Sequence, residues 1–570
     1  MAKIIWICSK EPLNETVGDK LHEICDFLTP DNIVPNRHRI HVKLKVAYGV
    51  LNPKTNIKYT GNSVLLGAIY GENENWHIPY SEIPDGSFAI FREDPNNVEI
   101  ISDVAGSRTI WYFFNETLFI ASTSQFAIVK YLGIFNLNRS VIPWMLSTGT
   151  MGPEISWDSR VKKLPPNSSI LLNKEIWQLT LKINPIVFKL ANKNIDQHEK
   201  ELKKQLNETF RSIKLDFSKW ILPLSGGFDS RGLLHFLSGN GITPIRTITW
   251  GIEKSKLDTK SDSFIADKLA KKLNVENKFF QTNFSKEDIG AILMRFIKNG
   301  EGRIDHLSGY LDGFSIWKEI HEKGIDGVIR GDENFGWHTV NSKKDVFTSL
   351  GINFLDEYKN LNSLFKTCEF KQVLPAYFEK NINESIPQWR DRLYHVYRLQ
   401  TIISALGDLK YSYVEQIVPL LSSKVIHSIL TQPDKARSGK KLWKNIVNSF
   451  EPKMEYASEQ SIANMDGFYS SKEFLNFVKI EFERNMENEI FDRRILLEVL
   501  DRIKISSAEL SHSRKISLKK IIKRLTPNRI YSQVKNTIKV NKTMDYNLLA
   551  LRIFIILTVN NLLKNETSNN

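Results

Sequence analysis

Cysteine is scarce. Only Cys8, Cys25 and Cys368 occur in 570 residues, and no two of them form a CxxC pair. That excludes a disulfide framework and a cysteine-held zinc site, and it predicts a reducing compartment, the cytoplasm. Long apolar runs are lacking as well. The patch IIWIC near the N-terminus is followed at once by polar and acidic residues, whereas a secretory signal has a longer apolar region and a small-residue cleavage site. Leu548 to Val559, the most apolar stretch near the C-terminus, is interrupted by Arg552 and falls short of the roughly 20 residues that span a bilayer. No membrane contact is expected. Acidic charge is in modest deficit: 78 Lys plus Arg against 64 Asp plus Glu leave a net +14. On a chain of this length the excess suits an anionic ligand, RNA or an acidic surface without choosing among them.

What is present is an ordinary globular composition. Hydrophobic residues at 41% and charged residues at 25% exclude wholesale disorder and leave ample chain for a large core. Up to about Val187 the texture is that of β-structure. Runs rich in β-branched and aromatic residues (Ser63–Ile69, Ser87–Phe91, Val98–Ile101, Thr109–Phe114, Leu118–Ser122) are separated by turn signals such as Pro84-Asp85-Gly86 and Asn96-Asn97. A polar segment then leads into an amphipathic helix carrying Leu202, Leu206 and Phe210, and a domain boundary is expected near Lys193, dividing 1–192 from 193–570. Beyond it the rhythm changes. Short apolar strands at Trp220–Leu224, Ile245–Trp250, Lys278–Gln281 and Gly327–Arg330 alternate with helical runs such as Ser261–Leu273, the pattern of a parallel sheet with crossover helices. After about Val340 the chain reads as almost wholly helical.

The most informative segment is Pro223-Leu224-Ser225-Gly226-Gly227-Phe228-Asp229-Ser230-Arg231. It lies between a strand and a helix, at the carboxyl end of the strand, where open α/β sheets bind ligands. Two adjacent glycines let the main chain turn tightly and present its amides to anionic oxygens. The following helix adds the positive end of its dipole, and Ser225 and Ser230 add hydroxyls. Asp229 suits a magnesium ion that bridges phosphates. The bland alternative is an ordinary strand–turn–helix corner.

SGGFDS resembles the SGGxDS pyrophosphate loop of N-type ATP pyrophosphatases, and the surrounding chain is similar to the asparagine synthetase family. In the first half Pro84–Ala89 (PDGSFA), Ser102–Arg108 (SDVAGSR), Ala121-Ser122 and Arg160–Pro166 (RVKKLPP) carry the likeness. In the second half Thr247–Gly251, Ser261–Leu273, Gly331–Gly336, Val414–Leu421 (VEQIVPLL) and Gly439–Leu442 (GKKL) follow in the family's order. The resemblance implies an α/β chain: an Ntn-hydrolase-like β-rich domain, then an adenine-nucleotide α-hydrolase-like parallel-sheet domain with a helical C-terminal part. It implies ATP and Mg2+, with a carboxylate attacking the α-phosphate to give an acyl-adenylate and pyrophosphate, and an amine then displacing AMP. By the same resemblance Ser225, Gly226, Gly227, Asp229, Ser230 and Gly331 hold the nucleotide. Asp229 and Asp332 bind magnesium, with a helix N-cap as the plain alternative for Asp332, and Glu415 matches a family glutamate whose role is either catalytic or structural.

Three departures set the expectation apart from a glutamine-dependent enzyme. The family's glutaminase needs an N-terminal cysteine, and position 2 is Ala2; Cys8, closing IIWIC, reads as a strand core residue. The Gly331–Trp337 loop is about three residues shorter than the family's GEGxDExFGG segment, and the glutamate that precedes the magnesium aspartate has no counterpart unless Asp332 itself fills that place. The family's closing lysine has no counterpart in Glu455–Ile462 (EYASEQSI), and Lys453 nearby reads as exposed. The expectation is therefore an amide-forming ligase with a degenerate glutaminase domain, as in β-lactam synthetases and lasso peptide cyclases, acting on a small-molecule or peptide carboxylate. An asparagine synthetase using ammonia or glutamine and a silent scaffold are the alternatives. Finally, Ser511–Met544 holds ten Lys or Arg, no acid, and Tyr531 as its single aromatic. A solvated face is the plain reading and an acidic peptide partner the functional one; base stacking with nucleic acid has little support.

Overall fold

The computed structural model describes residues 3–54, 56–282, 284–462, 465–504 and 542–568. The architecture is mixed α/β, with two antiparallel sheets and one parallel sheet. In the first half the strands are β1 (Ile4–Ser9), β2 (Arg39–Val42), β3 (Val46–Val50), β4 (Lys58–Thr60), β5 (Ser63–Ile69), β6 (Gly86–Glu93), β7 (Asn97–Ser102), β8 (Trp111–Phe114), β9 (Leu118–Ser122), β10 (Lys162–Lys163), β11 (Ser168–Asn173) and β12 (Gln178–Ile183). They form two six-stranded sheets, ordered β10-β8-β9-β1-β3-β2 and β12-β11-β7-β6-β5-β4. Side chains alternate along β1. Trp6 and Cys8 enter the core between the sheets with Leu66, Phe91 and Ile100. Ile5 and Ile7 point the other way, into the cluster that includes residues of α1 (Val17–Leu28), α2 (Gln125–Leu132) and α3 (Val141–Thr148).

The second half opens with α4 (Ile195–Ser212), whose start is fixed by a capping box between Asn194 and Gln197. It continues through β13 (Trp220–Pro223), α5 (Phe228–Gly239), β14 (Arg246–Gly251), α6 (Asp262–Lys272), β15 (Glu276–Gln281), α7 (Ile289–Gly300), α8 (Ser315–Glu322), β16 (Gly327–Ile329) and, after a long helical excursion, β17 (Glu415–Ile417). All neighbours are parallel, in the order β15-β14-β13-β16-β17. The chain steps outward from β13 to one side and later returns to its other side. This makes the carboxyl end of β13 the topological switch point of the sheet.

The final helix, Tyr546–Ser568, contains the apolar stretch seen in the sequence. It is long and apolar enough to cross a membrane by length and composition, yet 78% of its apolar window is buried within the protein. Arg552, the interruption, donates to Asp305 Oδ2 and to the Leu146 carbonyl, both at 2.8 Å. The same hydrophobic cluster takes Ile7 and Phe126 from the first half, Phe296 and Leu409 from the second, and Phe554 from this helix. The basic stretch Ser511–Met544 lies outside the described residues except for its last three, of which Lys542 pairs with Glu357 at 2.7 Å.

Candidate functional site

Leu224 extends β13 by one residue: its N–H donates to the Ile248 carbonyl and its own carbonyl accepts the Thr249 hydroxyl, both at 2.8 Å. The chain then turns through Ser225–Gly227 into α5. Ser225 N–H donates to Ser230 Oγ (3.0 Å), and Gly227 N–H donates to Ser225 Oγ (3.2 Å). Gly226 N–H donates to Asp262 Oδ1 at 3.1 Å, so a carboxylate sits on an amide that the sequence assigns to an anionic ligand. Burial pushes the Asp262 carboxyl up, and the Gly226 bond pulls it back down.

A strap covers this turn. Ala457 N–H donates to the Gly226 carbonyl (3.1 Å), and Tyr456 stacks on Phe228 at 3.7 Å. Arg231 lies 3.9 Å from the Tyr456 ring and donates to the Met454 and Glu455 carbonyls. A side chain at 226 would put its Cβ 2.4 Å from Ala457 Cβ, which is why the position takes glycine.

Next to the turn, Asp229 accepts from Lys440 Nζ through Oδ2 and from Trp443 Nε1 through Oδ1, each at 2.8 Å. Lys440 is shared: its Nζ also lies 2.8 Å from Glu333 Oε1. Two consecutive left-handed residues, Gly439 (φ 70°) and Lys440 (φ 59°), aim this lysine inward, and its N–H is held by the Gly336 carbonyl (2.7 Å). Burial works against the Lys440 ammonium, but Glu333 and Asp229 outweigh it and hold its pKa above the usual lysine range. Burial pushes the Glu333 carboxyl up, with Lys440 opposing. Tyr394, at the head of a π-helical stretch Tyr394–Ile403, is also pushed up by burial and by the field of Glu333, Asp332 and Asp229.

The structure thus brings Ser225, Gly226, Gly227, Asp229 and Ser230 into one turn. Gly331 abuts it, since a Cβ there would lie 3.2 Å from Asp229 Cβ. Asp332 faces Arg330 instead (3.1 Å), and the acid that shares a cation with Asp229 is its neighbour Glu333. Glu415 is not brought to the turn. It pairs in register with Gly327 at the amino ends of the strands, and it is bound, fully buried, to the Arg108 guanidinium of the first half. The PDGSFA and SDVAGSR motifs serve that same junction. Asp85 Oδ1 accepts from Ser423 N–H (2.7 Å), Ser87 Oγ from Val418 N–H (2.9 Å), and the Val104 carbonyl from His395 Nε2 (2.7 Å). A cavity of about 20 Å³ between the halves, lined by Ser107, Tyr411, Arg330 and Asp332, has room for about one water.

A resident magnesium ion does not fit the arrangement. The space between Asp229 and Glu333 holds the Lys440 ammonium, and among the described residues no three His, Cys, Asp or Glu side chains form a metal group. Cys8 is buried between the two sheets, and that burial pushes its thiol up to about 11, far from a thiolate. Lys440 is the residue that sequence reasoning passed over. It lies within the GKKL segment itself, whereas Lys453, further along, binds the Asn448 and Phe450 carbonyls at the surface. The left-handed backbone that aims it inward is a property of the fold, with no mark on a lysine in the sequence.

No family model and no curated protein matches this chain. Among solved structures, glutamine phosphoribosylpyrophosphate amidotransferase from B. subtilis, complexed with ADP and GMP, is 10% identical; the match covers 49% of this chain and 90% of that one, with a TM-score of 0.19. A structure described as the allosteric regulatory enzyme of purine biosynthesis is also 10% identical, covering 57% of this chain and 88% of that one, with a TM-score of 0.21. Likeness at these scores carries no argument about the site.

Proposed function

We propose that the protein is an AMP-forming carbon–nitrogen ligase that activates a small-molecule or peptide carboxylate with ATP, magnesium entering with the nucleotide. One observation carries this reading: the Ser225–Ser230 turn lies at the switch point of the parallel sheet with Lys440 2.8 Å from Asp229. In this reading the Gly226 and Gly227 amides and the amino end of α5 receive the oxygens of the departing pyrophosphate, which take the place of Asp262 on Gly226 and of the Ser225 hydroxyl on Gly227. Lys440, a preplaced cation that is itself mostly buried, offsets the charge that develops there. Glu333 and Asp229 keep it protonated and oriented.

The attacking amine then comes from the substrate itself. Cys8 is no nucleophile where it lies, so glutamine is not hydrolysed by it. An amine already held beside an adenylate gains proximity worth about 7–11 kcal/mol over one captured from solution. A second reading, a silent scaffold, is favoured by the way Asp262 and Ala457 hold Gly226 from both sides.

The test is ATP binding by calorimetry, followed by product analysis with a panel of carboxylates and hydroxylamine as surrogate amine. AMP and pyrophosphate are expected, with Asp229→Ala lowering turnover about 10²–10³-fold. ADP and phosphate as products, or full activity of Asp229→Ala, sinks the ligase reading. ATP binding without turnover on any carboxylate favours the scaffold.

A further inference from the structure

The first half carries a second concave site, at the open end of its β-sandwich. The carboxyl end of β1 and the turns between β2 and β3, β6 and β7, and β11 and β12 surround a cleft of about 550 Å³. That is the size of a small-molecule pocket, roughly 300–1,000 Å³. Its floor is apolar: Cys8, Val46 and Trp177 line it and are all buried. Trp177 is rigidly set, since its indole N–H donates to the Asn115 carbonyl at 2.8 Å and its ring leans on Phe114.

Four lysines stand around this floor. Lys174 is committed, paired with Glu93 and donating to the Asp94 carbonyl. Lys10, Lys43 and Lys45 are exposed and form no ion pair among the described residues. Their backbones are nevertheless fixed: Lys10 N–H bonds the Thr117 carbonyl, Lys43 N–H the Val46 carbonyl, and the Lys45 carbonyl accepts from Ser9 N–H, each at 2.8 Å. Against these three cations the lining offers one uncommitted acid, Glu175, so the rim carries 3 − 1 = +2. Like charges gathered over an apolar floor repel one another, and a matching anion relieves that repulsion.

We propose that this cleft binds a small organic dianion, its apolar body resting on Trp177 and Val46 and its charged head among Lys10, Lys43 and Lys45. Nothing in the proposal depends on the ligase reading. Phosphomonoesters and dicarboxylates share the chemistry, so phenyl phosphate and phenylsuccinate are both titrated calorimetrically. The ligand class that binds more tightly identifies the source of the head group. One-site binding that weakens with salt is expected. The triple variant Lys10→Ser, Lys43→Ser, Lys45→Ser should bind about tenfold more weakly, while keeping the melting temperature and ATP affinity of the parent. Absence of binding by either compound at about 1 mM overturns the proposal. So does a folded triple variant with unchanged affinity, which would assign the heat to another site.

Discussion

At the scale of single residues, Lys440 decides how the candidate site is built. Two carboxylates that would otherwise repel each other are joined through one ammonium. Glu333 is only 5% exposed, so removing the cation strands a buried charge, a loss of about 3–5 kcal/mol in comparable settings. Lys440→Met should therefore lower stability by about 3 kcal/mol in urea unfolding, discounted from the top of that range because Asp229 is partly solvated. Adding Glu333→Gln should restore much of it, since a neutral amide needs no counter-ion. A double variant no more stable than the single one would show that the pair is not coupled through Lys440. Gly226 is the other decisive position. Gly226→Ala drives a methyl into Ala457, and overpacking of this kind costs about 1–3 kcal/mol. Hydrogen exchange should rise along 454–462 as the strap lifts, and exchange equal to that of the parent would mean the strap is not seated on the turn.

At the scale of elements, the π-helical stretch Tyr394–Ile403 joins two motifs far apart in sequence. His395 Nε2 donates to the Val104 carbonyl of the SDVAGSR segment, which leaves Nδ1 to accept from Asn334 Nδ2 of the acidic loop (3.4 Å). Burial pushes this imidazole down to about 4 from an ordinary 6.5, so it folds neutral. Between those values the unfolded chain binds the extra proton, and stability rises with pH. The contribution is fully present above pH 6.5 and is lost as pH falls toward 4, by roughly 3 kcal/mol at most. Denaturant melts across that window should show the slope, and His395→Gln should flatten it. A slope unchanged in the variant would assign the acid sensitivity to other groups.

At the scale of the whole molecule, the two halves share a core. The final helix packs beside α2 and α3 of the first half and α7 of the second, and Arg552 ties it to Asp305 and to the end of α3. Arg552→Ala removes one partner of this buried pair and should cost about 3–5 kcal/mol. Because the cluster is continuous, calorimetry should show both halves melting in one transition, shifted together by the substitution. Two separated transitions, with only the later one shifted, would mean that the halves fold independently.

The sequence by itself determined the local elements and the turn. Ser63–Ile69 and Leu118–Ser122 coincide with β5 and β9, and Ser261–Leu273 brackets α6, because alternation and capping are encoded within a few residues. Likewise Ser225–Ser230 was legible because a tight glycine turn between an apolar strand and a helix is a local event. The three-residue strand β17 was too short to show a period, and its place beside β16 is a long-range pairing. Which acid meets Asp229 was decided only in three dimensions. Asp332 and Glu333 are adjacent in sequence, yet the loop turns one toward Arg330 and the other toward Lys440. Glu415 likewise became a ligand of Arg108 through a contact spanning 307 residues, and no pattern within a window could have revealed it. The tertiary structure chose these partners because a buried charge must find an opposite one, wherever the chain folds it into reach.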